Sequence, residues 1–203
     1  MKYSSQLLQN AVDAFSSLPG IGKKTALRLA LHVLYQDNQK VSKFCEAIEK
    51  FNQNIRRCPN CNYISDEDQC SLCNDQSRKK EAICIVESIR DVMAIEDTGQ
   101  YHGQYHVLGA LISPIEGIGP DTLFISNLPD RIQSEGIQEV IMAISPTIEG
   151  ETTIFYLSRY LSDLNVKISQ IARGVSFGGD LEYADEVTLG RSILSRVPYQ
   201  IAE

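Results

Sequence analysis

Residues 58–73 read Cys58-Pro59-Asn60-Cys61-Asn62-Tyr63-Ile64-Ser65-Asp66-Glu67-Asp68-Gln69-Cys70-Ser71-Leu72-Cys73, and this stretch divides the chain into unlike parts. A Cys-x2-Cys pair folds into a tight knuckle, and two knuckles supply four thiolates in a tetrahedral set. That set suits a closed structural Zn²⁺ site with no position left for substrate. Two disulfides are the alternative, which a chain of the reducing cytoplasm disfavours. A redox-active Cys-x-x-Cys is another, against which two copies so close together argue. One structural zinc ion per chain, held by Cys58, Cys61, Cys70 and Cys73, is the expectation. The loop between the knuckles carries Asp66, Glu67 and Asp68, so it repels phosphate, and its expected role is to fix the joint between the flanking segments. Cys45 and Cys84 are expected to be small buried hydrophobes.

Charge separates the flanks. The 203 residues carry a net charge of −7, which by itself argues against nucleic acid. Residues 1–57 hold nine Lys/Arg against four Asp/Glu, whereas residues 81–203 hold seven against eighteen. Such a gradient calls for two surfaces with different partners. With 43% hydrophobic and 22% charged residues the chain is neither disordered, collagenous nor of low complexity. It has no apolar run of about 18 residues and no secretory signal, so no membrane span and a cytoplasmic address are expected.

On the basic side, Leu7, Leu8, Ala11, Val12 and Phe15 recur at helical spacing and predict a helix over about 4–16. Leu18-Pro19-Gly20-Ile21-Gly22-Lys23-Lys24-Thr25-Ala26 follows, two glycines around one apolar residue and then a basic helix start. Glycine lets the backbone approach a ligand closely, and the first turn of the next helix offers free amides and a positive dipole end to a phosphate. This is the helix-hairpin-helix pattern of sequence-independent DNA binders, with Gly20, Gly22, Lys23, Lys24 and Arg28 as candidate DNA-binding residues. A plain helical turn with a solvated charged face is the competing reading, and the positive balance weighs against it. A third helix is predicted over about Lys43–Ile55, and Arg56 and Arg57 would extend the phosphate-binding surface.

On the acidic side, short apolar strands at Ala82–Val86, Tyr105–Leu108, Glu139–Ile144 and Val166–Ile171 alternate with helices to about Asp97, over Asp121–Ser134 with Pro129 as a candidate interruption, and over about 150–164. That alternation predicts an α/β domain with a mostly parallel sheet. Phe155, Leu157, Tyr160, Leu161 and Leu164 are expected on the core side of the last helix. Gly117-Ile118-Gly119-Pro120 lacks the Lys-Ser/Thr end of a phosphate loop and reads as a tight turn. His102 and His106 are expected to be partly exposed polar side chains. Glu87 follows the first strand, and Glu149 and Glu151 follow the third. Strand-Glu-helix with a later acidic cluster resembles the Toprim fold, whose catalytic members hold Mg²⁺ with a glutamate and an Asp-x-Asp pair. Here the second element reads Ser145-Pro146-Thr147-Ile148-Glu149-Gly150-Glu151, without Asp-x-Asp, so the set of catalytic roles is incomplete and Mg²⁺ is a doubtful cofactor.

In this order, the three pieces resemble the RecR family of bacterial recombination mediators over essentially the whole chain. Ile112-Ser113-Pro114-Ile115-Glu116-Gly117-Ile118-Gly119-Pro120 and the tail around Gly178-Gly179-Asp180-Leu181-Glu182-Tyr183-Ala184-Asp185-Glu186 strengthen the likeness. The resemblance implies a multidomain α+β chain: a helix-hairpin-helix domain at 1–57, a four-cysteine zinc finger at 58–80, a Toprim domain at 81–172 and a C-terminal assembly segment at 173–203. It further implies a non-enzymatic DNA-repair and recombination factor, forming dimers or tetrameric rings, that works with RecO and RecF to load recombinase onto single-stranded DNA. Glu87, Asp91, Glu149 and Glu151 would then serve partner docking. The alternative is a Mg²⁺-dependent nuclease or primase-like enzyme.

Overall fold

In the computed structural model, which describes residues 3–175 and 178–198, the chain forms two compact units, Met1–Ile55 and Arg56–Glu203. The last five residues of the expected C-terminal segment, 199–203, lie outside the described residues.

The first unit is helical. Helix α1 (Gln6–Ser16) begins where Ser5 Oγ accepts from the Leu8 amide at 3.3 Å. It packs on α2 (Lys23–Leu34) through Val12, Ala26 and Ala30, with Leu8, Phe15, Ile21 and Leu27 around them. Two alanines on α2 allow the close approach. Between the helices, the Ile21 amide donates to Leu18 O at 3.2 Å, with Pro19 and Gly20 as the central residues and Gly20 at φ +80°. That is a type II turn: proline presets the first central residue, and only glycine takes the second without strain. Helix α3 (Asn38–Asn54) starts five residues before the expected Lys43, because the Asp37 side chain accepts from the Gln39 amide at 2.7 Å and caps it there. No residue of α3 is buried: Phe44, Ile48 and Phe51 are exposed, and so is Cys45, against expectation.

The second unit opens with β1 (Arg56–Arg57) and β2 (Ile64–Ser65), paired antiparallel, and α4 (Ser71–Asn74). Then come β3 (Ala82–Val86), α5 (Ile89–Asp97), β4 (Gln104–Val107), α6 (Leu128–Glu135), β5 (Glu139–Ala143), α7 (Ile148–Tyr160), β6 (Lys167–Gln170) and α8 (Glu186–Leu194). Strands β4-β3-β5-β6 form one sheet in that order, parallel throughout. Side chains alternate across it as the pleat dictates. Ile83, Ile85, Val140 and Met142 meet Leu128, Ile132, Leu157 and Leu161 on one face. Cys84, Val86, Tyr105, Val107 and Ala143 meet Val92 on the other. Both faces are covered, which is why β3 is apolar at every position. Cys84 is buried as expected, and burial pushes its thiol up to about 12.

Three expectations are corrected. The stretch 121–134 is interrupted, but not at Pro129: a 3-10 turn at Pro120–Thr122 precedes α6, and Pro129 sits in the first turn of α6, where a missing amide costs nothing. Phe155 and Tyr160 are exposed; Thr153, Leu157 and Leu161 form the buried stripe of that segment, since positions four apart share a face. His106, on β4, is fully buried, whereas His102 is exposed. The His106 ring stacks on Phe124 with centroids 5.5 Å apart. Its Nε2 bonds to Phe124 O and therefore carries the proton, which leaves Nδ1 without a partner among the described residues.

Burial, opposed by the Phe124 hydrogen bond and reinforced by Arg131, lowers the His106 pKa from 6.5 to about 4. The unfolded chain binds this proton more readily than the folded one, so its contribution is complete above pH 6.5 and is lost as pH falls toward about 4. The full loss is about 3 kcal/mol. Thermal melts should show a falling midpoint across that window, with the upper part of the slope flattened in His106→Gln; an unchanged slope would exclude His106 as its source.

One glycine is fixed by space. A Cβ on Gly150, in the first turn of α7, would stand 2.0 Å from Ser145 O. Gly150→Ala should therefore cost about 1–3 kcal/mol in a denaturant titration. An unaffected midpoint would mean that the segment Ser145–Thr147 yields freely.

Candidate nucleic-acid interface and metal centre

Helix α2 begins at Gly22, which offers no side-chain cap, and its first turn contains no acidic residue. The Ala26 amide takes Gly22 O at 2.9 Å, while the amides of Lys23, Lys24 and Thr25 precede the first helical bond. Gly20, Gly22, Lys23, Lys24 and Arg28 are all exposed. Uncapped amides, a dipole end and three cations thus belong to one turn-helix junction, the chemistry that accepts a phosphate. Arg56 and Arg57 are exposed on β1 of the second unit; Arg56 pairs with Asp68 at 3.1 Å, and Arg57 donates to Asn62 O at 3.3 Å.

The four cysteines come together. Their sulfurs lie within 4.8 Å of one another, with Cys61 to Cys70 at 3.4 Å and Cys58 to Cys73 at 4.0 Å. A tetrahedron of four sulfurs with metal–sulfur bonds of about 2.3 Å has edges of about 3.8 Å, so the set fits one ion. Cys58, Cys61 and Cys70 are buried and Cys73 is partly so, consistent with a closed site. The sulfurs cannot all ionise unaided. Hydrogen bonding to Cys70 and then Cys73 pushes the Cys61 thiol up, while the contacts with Cys61 and Cys73 draw Cys70 down to about 2. A bound dication removes this conflict by holding every sulfur as thiolate.

The first knuckle is fastened to the sheet. The Cys58 amide donates to Tyr63 O at 2.7 Å and the Asn62 amide to Cys58 O at 2.8 Å, with Asn62 at φ +61°. Val107 N donates to Cys61 O at 2.9 Å, and Asn62 Nδ2 donates to Val107 O at 2.9 Å. The free edge of β4 is thereby covered at Val107. Asn127 Nδ2, just before α6, donates to Pro59 O at 3.0 Å and Asn60 O at 3.1 Å. Arg131, a buried cation, donates to Tyr105 O at 2.7 Å and pairs with Glu135 at 3.0 Å. None of Asn127, Arg131 and Glu135 was expected at this centre; they stand some 70 residues away in sequence with no local pattern to mark them.

The acidic residues divide. Glu87 and Glu149 line one cleft of about 500 Å³ with Glu116, Ser113 and Thr147. Burial, and then the charge of Asp91, raises the Glu87 pKa above the usual carboxylate range. Asp91 itself accepts from Ser88 N at 2.8 Å and Ser88 Oγ at 2.9 Å, in the capping box of α5. Glu151 pairs with Arg173 and lines a different cleft with Gln170 and Arg191. Ser113 and Ile118 exchange backbone bonds around Gly117 at φ +71°, the tight turn expected there. No helix among the described residues is long and apolar enough to cross a membrane.

Comparison with known proteins matches three parts of the chain. Residues 8–51 match the family described as RecR, helix-hairpin-helix; residues 81–172 match the Toprim domain; residues 174–197 match RecR, C-terminal. The recombination protein RecR of Porphyromonas gingivalis is 52% identical over 198 residues, covering 98% of this chain and 96% of its own. That of Flavobacterium johnsoniae is 52% identical over 200 residues, covering 98% and 97%. That of Cytophaga hutchinsonii is 50% identical over 204 residues, covering both chains completely.

Proposed function

We propose, from the premise that this chain belongs to the RecR family, that it is a non-catalytic recombination mediator that binds DNA through its helix-hairpin-helix and acts with RecO and RecF to load recombinase onto single-stranded DNA. The observation that carries the DNA contact is the α2 start: free amides, Lys23, Lys24 and Arg28 exposed together, and no carboxylate in the turn. Gly20 and Gly22 keep that junction clear of side chains, since a Cβ at either would meet nothing but solvent. Nothing in such a site reads bases, so binding is sequence-independent. In this reading residues 1–57 form the DNA-binding domain, 58–80 the zinc finger, 81–172 the Toprim domain and 173–203 the assembly segment.

Cys58, Cys61, Cys70 and Cys73 would hold one Zn²⁺, which supplies no reaction and only fixes the two knuckles. The acidic face of Glu87, Asp91, Glu149 and Glu151 would dock a protein partner, with Glu87 and Glu149 at its centre. Self-assembly into a dimer or a tetrameric ring is supported by apolar side chains left in solvent, Phe44, Ile48 and Phe51 on α3 and Val187, Ile193 and Leu194 on α8. The ring would act near DNA in the cytoplasm.

The test is recombinase filament formation on single-stranded DNA coated with single-strand binding protein. Adding this chain to RecO and RecF should shorten the lag, and an unchanged lag would overturn the reading. Labelled DNA incubated with the protein and Mg²⁺ should stay intact; turnover lost on Glu87→Gln would replace the mediator with a Mg²⁺-dependent nuclease or primase. Native mass measurement with and without DNA decides the ring size.

A further inference from the structure

Asn60 sits inside the first knuckle, between Cys58 and Cys61, and its side-chain amide faces two acceptors. Asn60 Nδ2 lies 3.2 Å from Glu135 Oε1 and 3.8 Å from Cys73 Sγ, across the site on the other knuckle. A carboxylate only accepts, so the contact with Glu135 fixes which way the amide points and aims its second N–H toward the sulfur. The same Glu135 oxygen accepts from Arg131 Nε at 3.0 Å. Arg131 in turn is locked by Tyr105 O at 2.7 Å and by Gln104 Oε1 at 3.3 Å, both on β4. With its side chain 2% exposed, Arg131 has no freedom to release Glu135 to solvent. The chain of contacts therefore runs from the sheet through α6 to a sulfur of the metal site.

We propose that Asn60 is a positioning residue for the zinc thiolates, held in place by Glu135 and Arg131, so that α6 sets how readily the ion leaves. This rests on the assignment of Zn²⁺ to the four cysteines. The physical ground is general. An N–H directed at a coordinated thiolate draws off part of its charge and holds the sulfur in the geometry the ion needs. Partners of this kind carry about 10- to 100-fold in metal affinity. Cys73 is the most exposed of the four ligands, so it is where release would begin and where a donor has most effect.

The experiment uses the full chain isolated with its metal. Zinc content is measured first; a protein that purifies without zinc and takes up none would overturn the zinc assignment itself. For the zinc-bound protein, transfer of the ion to 4-(2-pyridylazo)resorcinol is timed. Asn60→Ala should release zinc about 10-fold faster or more. Glu135→Ala should do the same in wild type yet add nothing in the Asn60→Ala background. Asn127→Ala serves as the comparison, because Asn127 anchors the same loop through backbone carbonyls and touches no sulfur. If Asn127→Ala released zinc as fast as Asn60→Ala, loop anchoring would explain the effect and the proposal would fail. A second readout uses the Co²⁺-substituted protein: loss of the N–H raises the energy of the sulfur electrons, so the thiolate-to-cobalt charge-transfer band should move to longer wavelength in Asn60→Ala and not in Asn127→Ala. An unmoved band with an unchanged release rate would overturn the proposal.

Discussion

With Cys58, Cys61, Cys70 and Cys73 holding zinc as proposed, stripping the ion, or replacing Cys61 by serine, should lower the thermal midpoint of the second unit by on the order of 10 °C or more. Four sulfurs are packed within 4.8 Å of one another. Without a dication they carry competing protons and at most part of their charge, and the two knuckles lose their common centre. The bonds at risk are those from Cys61 O and the Asn62 side chain to Val107, together with the contacts of Asn127 to Pro59 and Asn60. Structural zinc can contribute about 10 kcal/mol or more to folding in small domains. Even half of that, in a unit of this size, shifts the midpoint by about 10–20 °C. A second consequence is aggregation, because the exposed edge of β4 would offer unpaired backbone groups to another chain. Calorimetry with and without a chelator checks both, and an unchanged midpoint after verified metal removal would refute the structural role. The pH dependence has a fixed sign: thiolate ligands compete with protons, so the proposed zinc should be retained at neutral pH and lost on acidification.

Lys24→Ala combined with Arg28→Ala should weaken DNA binding about 10- to 100-fold while leaving zinc content and oligomeric state as in wild type. Both side chains are exposed on α2 and make no ion pair among the described residues, so their removal costs the fold little. Each phosphate contact releases bound counterions, and losing two per hairpin should make the slope of log affinity on log salt shallower by about 2 for each hairpin engaged. In a ring the losses multiply, because avidity depends on every hairpin that can engage at once. Fluorescence anisotropy on single- and double-stranded oligonucleotides over a salt series gives both numbers. Wild-type affinity and slope in the double variant would show that DNA is held elsewhere. Gly22→Ala is the informative companion: the position has open space and no positive φ, so a weaker complex there would report closeness of backbone to phosphate and not misfolding.

What the sequence revealed followed from the range of the interactions that encode it. The knuckles were legible because each closes within three residues, and Pro19-Gly20 announced its turn because the two residues fix the two central backbone angles. The parallel sheet was legible at Ala82–Val86, where every side chain is apolar because both faces are covered. The place of the break before α6 was not, since Pro129 reads equally as a break or a beginning until the preceding loop is seen. Phe155 misled because aromatic character outweighed its place two residues from Leu157, nearly the opposite side of the helix. The fastening of the knuckle by Asn127, Arg131 and Glu135 was invisible, as each is an ordinary polar residue in or just before a surface-like helix until the fold brings it to the first knuckle. His106 was misread for the same reason: its stacking partner, Phe124, lies outside any local pattern.

The contrast between the two units also sets an order of events during synthesis. Residues 6–34 make their packing contacts across one short turn, with little loop to close, and local contacts of that kind form quickly. The knuckle cysteines are made next, but Val107 follows Cys61 only after a long interval, and β3 waits for β5, pairing Ala82 with Glu139, before the sheet has a centre. The basic hairpin can therefore be complete at the ribosome while the thiols are still undocked. Capture of the metal at that stage would give the growing chain a preformed corner against which strand β4 can register.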